Sequence, residues 1–223
     1  AYTLTLLPNL ISESGSQLSE AFVLSFTTGS SSFSAETFLH HRGAFTDNYT
    51  NSADITLLLS SANENSLRYQ VTDQSVAPSS SGSGWQTPLG YPVEVSFTLA
   101  DLTPGTKNLT VWFDDGEQLV DEAQLSLTYD PESPNGLLAL AQSTTKEAEA
   151  GITLSANDQL SPLGWYLIKQ DNLTPALDAE DWFPLETGSL ETAVEVKREI
   201  DNSQEGAITF YGWVLDAAGN LSE

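Results

Sequence analysis

The stretch Ile55-Thr56-Leu57 decides the fold, because it returns unchanged 97 residues later as Ile152-Thr153-Leu154. Two aromatic residues recur at the same offset, Tyr69 as Tyr166 and Trp85 as Trp182. The Tyr-to-Trp spacing is therefore 16 in both copies, although the loops between them differ in sequence. Self-similarity at one fixed offset is the signature of repeated structural units, so the chain is predicted to contain two homologous modules.

The segments around the repeat have the alternating pattern of half-buried β-strands. Val93–Leu99, Phe22–Phe26 and Leu125–Tyr129 each place apolar side chains at every second position. Such alternation directs one face of a strand to a core and the other to water. Turn-forming Gly, Ser, Pro and Asn residues separate the strands, and each repeat is about 100 residues long. The sequence predicts an all-β protein of tandem immunoglobulin-like antiparallel β-sandwiches.

The linker Tyr129–Gly136 contains two prolines and divides the repeats. Module one is expected over residues 31–130 and module two over residues 131–223. The strands in residues 1–30 are expected to close a preceding module. No counterpart of strand Leu125–Tyr129 follows Asn220. We therefore expect module two to lack its last strand, and the chain to be an excerpt from a longer array.

The charge balance excludes some partners. Among 223 residues, 31 are Asp or Glu and 7 are Lys or Arg, which gives a net charge of −24. This field repels nucleic acid and anionic lipid, and no apolar run approaches the roughly 20 residues of a membrane helix. The chain has no cysteine, so disulfides and thiolate metal sites are excluded. A secreted eukaryotic array of such modules usually carries disulfides, so their absence favours a bacterial origin.

The end of the second repeat resembles a known family. The segment Trp213–Ser222 has an aromatic strand followed by Asp-x-Ala-Gly-Asn-x-Ser, and it resembles the ending of the bacterial Ig-like (Big-type) repeats of large adhesins. Tyr2–Leu6, with Phe26–Gly29, is similar to the close of S-layer-type bacterial Ig-like domains. The resemblance implies an extracellular or cell-surface location, with neighbouring modules of the same chain as partners. Physically, the motif forms a turn in which Asp accepts backbone N–H groups and Gly supplies a positive φ.

Signals of catalysis are absent from the sequence. The two histidines are the neighbours His40 and His41, which point to opposite faces if they lie in a strand. No nucleophile elbow, zinc-protease helix motif, phosphate loop or dinucleotide-binding glycine motif occurs. The fragment is therefore predicted to be non-enzymatic.

Calcium is the cofactor that the acidic loops suggest, since it binds six to eight oxygen ligands from carboxylates and carbonyls. The linker and the adjoining turns are favoured, because a cation there would stiffen the joint between modules. The alternative is that these acids are simply solvated loop residues. Asp178–Asp181 is a further acidic segment of the same kind. The candidate ligands are Asp114, Asp115, Glu117, Asp121, Asp130, Glu132, Asp216 and Asn220.

The five tryptophans suggest either core packing or carbohydrate stacking. Those that recur or lie among aliphatic residues are predicted to pack internally. Trp112 is the exception, because strict alternation turns Val111 and Phe113 inward and Trp112 outward. The main hypothesis is a structural spacer array on a secreted or surface-anchored adhesin-like protein. The alternative is an accessory carbohydrate-binding module of a polysaccharide-degrading enzyme, with surface glycans as partners. A subunit of a self-assembling surface lattice is a third option.

Overall fold

The computed structural model describes residues 2–6, 22–26, 33–38, 48–61, 67–185, 188–200 and 206–222. Strands β1 (Tyr2–Leu6) and β2 (Phe22–Phe26) pair antiparallel in a sheet of their own. The predicted boundary near residue 30 and the histidines His40 and His41 lie outside the described residues.

The first sandwich consists of two facing sheets. One sheet has the order β3-β5-β7 and the other the order β4-β9-β8-β6. The short strand β4 runs parallel to β9, whereas the other neighbours are antiparallel. Ile55, Leu57, Val111 and Phe113 from the two sheets meet in one buried cluster. The strands are β3 (Phe33–Phe38), β4 (Tyr49–Thr50), β5 (Asp54–Ser61), β6 (Arg68–Thr72), β7 (Val93–Thr98), β8 (Gly105–Asp114) and β9 (Leu119–Tyr129).

The second sandwich also has two facing sheets, but the described residues contain no counterparts of β4 and β9 in it. Its sheets have the orders β10-β11-β14 and β13-β12-β15, and all of its strand pairs are antiparallel. Ile152, Leu154, Tyr166 and Val214 lie in its core. The prediction of an all-β chain with tandem Ig-like β-sandwiches is confirmed. The strands are β10 (Asn135–Leu140), β11 (Glu149–Asn157), β12 (Leu163–Lys169), β13 (Phe183–Pro184), β14 (Glu191–Glu199) and β15 (Tyr211–Asp216).

The offset of 97 residues is reproduced in individual hydrogen bonds. Tyr69 pairs with Gln86 across an antiparallel bridge, and Tyr166 pairs with Phe183 in the same way. The indole Nε1 of each repeated tryptophan donates to a carbonyl six residues earlier. Those bonds join Trp85 to Ser79 O and Trp182 to Ala176 O, each at 3.0 Å. The repeat therefore conserves a loop conformation as well as the strands.

The prediction that Trp112 is exposed is wrong, since its side chain is only 7% accessible. Alternation does place Val111 and Phe113 in the core and Trp112 on the opposite face. The loop after β6 covers part of that face, because its Gly84 lies beside the side chain of Gln70, the strand neighbour of Trp112. The Trp112 indole N–H donates to Thr72 Oγ1 at 3.1 Å.

The corresponding face of the second sandwich has a compact apolar cluster. Trp182, in the loop after β12, packs with Leu167, Trp213 and Leu215 on the side of the sheet away from the main core. The repeated tryptophan thus fastens its loop to the outer face of the sheet. Trp182 is 5% exposed. Trp85 is more exposed and lies under the Arg68 guanidinium, which is 5.4 Å from the ring centroid.

Replacement of the two repeated tryptophans is predicted to lower the free energy of unfolding by different amounts. Trp182→Ala removes a buried indole from a packed cluster and should lower the free energy of unfolding by about 3–5 kcal/mol. Trp85→Ala should cost less, since that ring is only partly buried. Urea unfolding followed by circular dichroism measures both. Equal losses would contradict the burial difference between the equivalent positions.

Candidate functional site at the joint

Asp130 links the two sandwiches through its main chain. It follows β9, and its N–H donates to Thr50 O in the first sandwich at 2.8 Å. Its own carbonyl accepts a hydrogen bond from Asn220 Nδ2 in the second sandwich at 2.9 Å. The residue is 1% exposed, and Pro134 farther along the linker is also buried. This segment is therefore packed between the sandwiches and does not run free through solvent.

Asn220 is the central donor of the joint. Besides the bond to Asp130, its Nδ2 donates to Asp216 Oδ2 at 2.9 Å, and its backbone N–H donates to Asp216 Oδ1 at 2.7 Å. Its Oδ1 accepts from Asn51 Nδ2 of the first sandwich at 3.1 Å. Gly219 provides the positive φ of 92° that the turn needs. The turn predicted from the Asp-x-Ala-Gly-Asn motif thus contacts both the linker and the first sandwich.

Asp158 adds a third carboxylate. It follows β11, and its Oδ1 accepts the N–H groups of Leu160 and Ser161 at 2.8 and 2.9 Å. Asp130, Asp158 and Asp216 each offer an oxygen atom such that all three atoms lie within 4.8 Å of one another. All three residues are buried. Three like charges are therefore concentrated in a poorly solvated place.

The pKa values report this crowding. Burial raises the pKa of Asp216 from 3.8 to about 6, and the charge of Asp130 adds to the rise, although hydrogen bonds from Asn220 oppose it. Burial also raises the pKa of Asp130, with a further contribution from the charge of Asp158. Both shifts mean that the folded protein destabilises the ionised forms of these two carboxyl groups.

Two buried oxygen atoms at the site make no hydrogen bond of regular geometry. Asp130 Oδ2 is one and Ser161 Oγ is the other. The Ser161 side chain is fully buried, and its hydroxyl lies beside the carboxyl groups of Asp130 and Asp216, where weak hydrogen bonding lowers the pKa of both. A buried polar atom without a regular hydrogen bond costs about 1–3 kcal/mol, so two of them in one place indicate a missing partner.

The structure brings together three of the predicted ligands, namely Asp130, Asp216 and Asn220. Glu132 is exposed, and only its backbone N–H reaches the cluster, at 3.1 Å from Asp130 Oδ1. Sequence reasoning missed Asp158 and Ser161.

The acidic turn of the first sandwich is built differently. Asp114 is fully buried and pairs with Arg68. Asp115 is exposed, and its Oδ1 accepts the N–H groups of Glu117 and Gln118 at 2.9 Å. Glu117 and Asp121 are also exposed. These four predicted ligands do not join the cluster at the joint, so their binding of calcium remains a prediction without geometric support. In the Asp178–Asp181 segment, Asp181 pairs with Lys169 at 2.9 Å.

The surface depressions offer little for catalysis. One depression has a volume of about 630 Å³, lies on β10, β11 and β14, and has Glu191 as its sole titratable lining residue. The other is lined by Glu147, Glu149, Glu199 and Lys197, together with neighbouring small and apolar residues. Within the described residues, no helix has the length and hydrophobicity needed to span a bilayer.

Comparison with known proteins gives distant structural similarity only. No family model and no curated protein matches the chain. Among solved structures, the chain is similar to the tetra-tandem repeat in the extending region of a large adhesion protein, with 13% sequence identity and a TM-score of 0.29. The match covers 99% of this chain and 54% of that one, so this chain spans about half its length. A likeness of this degree bears on neither the arrangement nor the function of the repeats.

The raised pKa of Asp216 predicts an unusual pH dependence in buffer containing a chelator. The folded-state pKa of about 6 exceeds the unfolded value of 3.8, so the folded state binds the proton more tightly. Stability from this group is full below about pH 4 and is lost as the pH rises through about 6, a difference of about 3 kcal/mol. Asp130→Asn removes a neighbouring charge and should reduce this loss in part, while the larger contribution from burial remains.

Urea unfolding of both proteins between pH 4 and pH 7 tests this expectation. Asp130→Asn should gain stability relative to the original chain as the pH rises. A constant difference between the two proteins across the range would show that the carboxylates do not repel one another.

Proposed function

We propose that the chain is a non-enzymatic spacer, formed by Ig-like repeats of a secreted or surface-anchored bacterial adhesin-like protein. The observation that carries this proposal is the joint. Two sandwiches are connected by a short linker whose first residue, Asp130, is buried and hydrogen-bonded on both sides. A linker held in this way fixes the direction of one module relative to the next, as a spacer requires.

The surface properties support the same role. A net charge of −24 keeps a long array soluble and discourages it from collapsing on itself. One depression has Glu191 as its sole titratable lining residue, and the other contains the exposed surface ion pair of Lys197 with Glu149 rather than a desolvated, activated nucleophile. The Asp-x-Ala-Gly-Asn ending, which resembles the ending of bacterial adhesin repeats, forms the turn that contacts the preceding sandwich. In this proposal, the partners are the neighbouring modules of the same chain.

The carbohydrate-binding alternative depended on an exposed Trp112. Its ring is buried, and its N–H is already bonded to Thr72 Oγ1. A sugar stacks on an accessible aromatic face, so Trp112 does not support that function. The spacer is therefore the function that the geometry favours.

Rigidity of the joint can be measured with spin labels, since the chain has no cysteine of its own. Cysteines at the exposed positions Glu94 and Glu195 place one label on each sandwich. In millimolar calcium, electron–electron resonance should give a single narrow distance distribution. Asn220→Ala should broaden it, because the substitution removes the bonds to Asn51 and to Asp130.

Asn172→Ala is the matched control, since Asn172 is an exposed loop residue of the second sandwich. It should leave the distribution unchanged. A broad distribution in the unsubstituted chain would refute the spacer, because the joint would then be a hinge.

A further inference from the structure

The two sandwiches bury acidic residues in opposite ways. In the first, Arg68 Nε and Nη2 both donate to Asp114 Oδ1, and Gly116 N–H donates to the same oxygen at 2.7 Å. Although burial alone would raise the pKa of Asp114, contacts with Ser80 and Arg68 lower it. A guanidinium thus compensates for the burial of one carboxylate.

At the joint, three carboxylates are buried without a basic partner among the described residues. The ion pairs in that part of the chain join Arg68, Lys107, Lys169 and Lys197 to other acids. The groups that contact the joint carboxylates are hydrogen-bond donors without charge, namely Asn220, the Ser161 hydroxyl and backbone N–H groups. Such donors orient carboxylates but leave their net charge in place. Burial of an uncompensated charge is costly, so a cation is the missing component.

The geometry points to a binding site for one calcium ion, held by the carboxylates of Asp130, Asp158 and Asp216 and by the hydroxyl of Ser161. The four side chains come from three segments and supply only oxygen. Oxygen ligands suit hard cations, whereas zinc and copper favour histidine and cysteine. Ser161 Oγ and Asp130 Oδ2, which make no hydrogen bond of regular geometry in the protein, become ligands.

Calcium fits better than magnesium. Magnesium requires near-ideal octahedral geometry at short distances and gives up its water reluctantly. Calcium accepts irregular sets of six to eight oxygens at about 2.3–2.6 Å, so water can complete the four protein ligands. The carboxylates at this site are already oriented by Asn220 and by the loop at Leu160, which lowers the ordering cost of binding.

The calcium ion adds rigidity to the proposed spacer, and the biological role of the ion rests on that proposed function. Asp130 belongs to the linker, whereas Asp158, Ser161 and Asp216 belong to the second sandwich. A shared ion therefore clamps the linker onto that sandwich. The Asp130 N–H also donates a hydrogen bond to Thr50 O of the first sandwich. The ion therefore couples the two sandwiches through this one residue.

The test is calcium titration of the full chain after treatment with a chelator. Calorimetry should show one saturable calcium site at neutral pH, with clearly weaker binding of magnesium. The melting temperature should rise by about 5–10 °C once free calcium exceeds its Kd by about a hundredfold. Asp158→Asn should weaken calcium binding at least about tenfold.

Asp158→Asn separates ligand loss from misfolding. The Asn side chain can still accept the N–H groups of Leu160 and Ser161 through its oxygen, so the variant should fold. Without calcium, it should melt above the original chain, since one buried charge is gone. A merely structural role for Asp158 would predict the reverse. Glu132→Gln removes the same charge two residues from Asp130 on an exposed side chain and should leave calcium binding intact.

Three results would overturn the site. They are no saturable calcium binding by the original chain, equal affinities for calcium and magnesium, and unchanged calcium affinity in Asp158→Asn. If the spin-label distance stays narrow while calcium does not bind, the spacer stands and the ion is refuted. If calcium binds while the distance is broad, the ion stands and the spacer is refuted.

Discussion

The burial of the Asp130 carboxyl between two β-sandwiches is the constraint on which the joint depends. Its main chain belongs to the hydrogen-bond network of both sandwiches, so the side chain has no route to solvent. A carboxylate in such a place must share a proton, meet a basic group or bind a cation. The neighbouring acids Asp158 and Asp216 favour a shared proton at low pH, but this proton is lost as the pH rises above the raised pKa of Asp216, about 6.

A basic group neutralises a buried carboxylate elsewhere in the same chain. Asp114 lies at the end of β8, and Arg68 on the paired strand neutralises it. Such a pair is self-contained, because both partners belong to one sandwich. The cluster at the joint draws its residues from the linker and from the second sandwich. The stability of this cluster is therefore coupled to the position of the linker. Unlike the Arg68–Asp114 pair, it depends on pH and on calcium.

Much of the fold could be predicted from the repeat. The offset of 97 places Tyr69 with Tyr166 and Trp85 with Trp182, and the structure conserves their bridges and indole hydrogen bonds. Strand alternation assigned Val111 and Phe113 to the core correctly. It failed for Trp112, because alternation tells which face a side chain occupies but not whether a loop covers that face.

The site was only partly predictable. The linker and the Asp-x-Ala-Gly-Asn turn indicated Asp130, Asp216 and Asn220, since acidic turns near a joint stand out in sequence. Asp158 and Ser161 lie in an ordinary loop between β11 and β12, and tertiary packing alone brings them to the linker. The acidic turn at Asp115 looked equally suitable in sequence. Its carboxylate is instead exposed and is satisfied by backbone N–H groups.

The crystal structure of the chain, from crystals grown in calcium, is the most direct test of the calcium site at the joint. We predict one anomalous peak at the joint, with oxygens of Asp130, Asp158, Asp216 and Ser161 about 2.3–2.6 Å away. The contradicting result is a joint without a peak, in which two of the carboxyl groups share a proton and Ser161 Oγ donates to one of them.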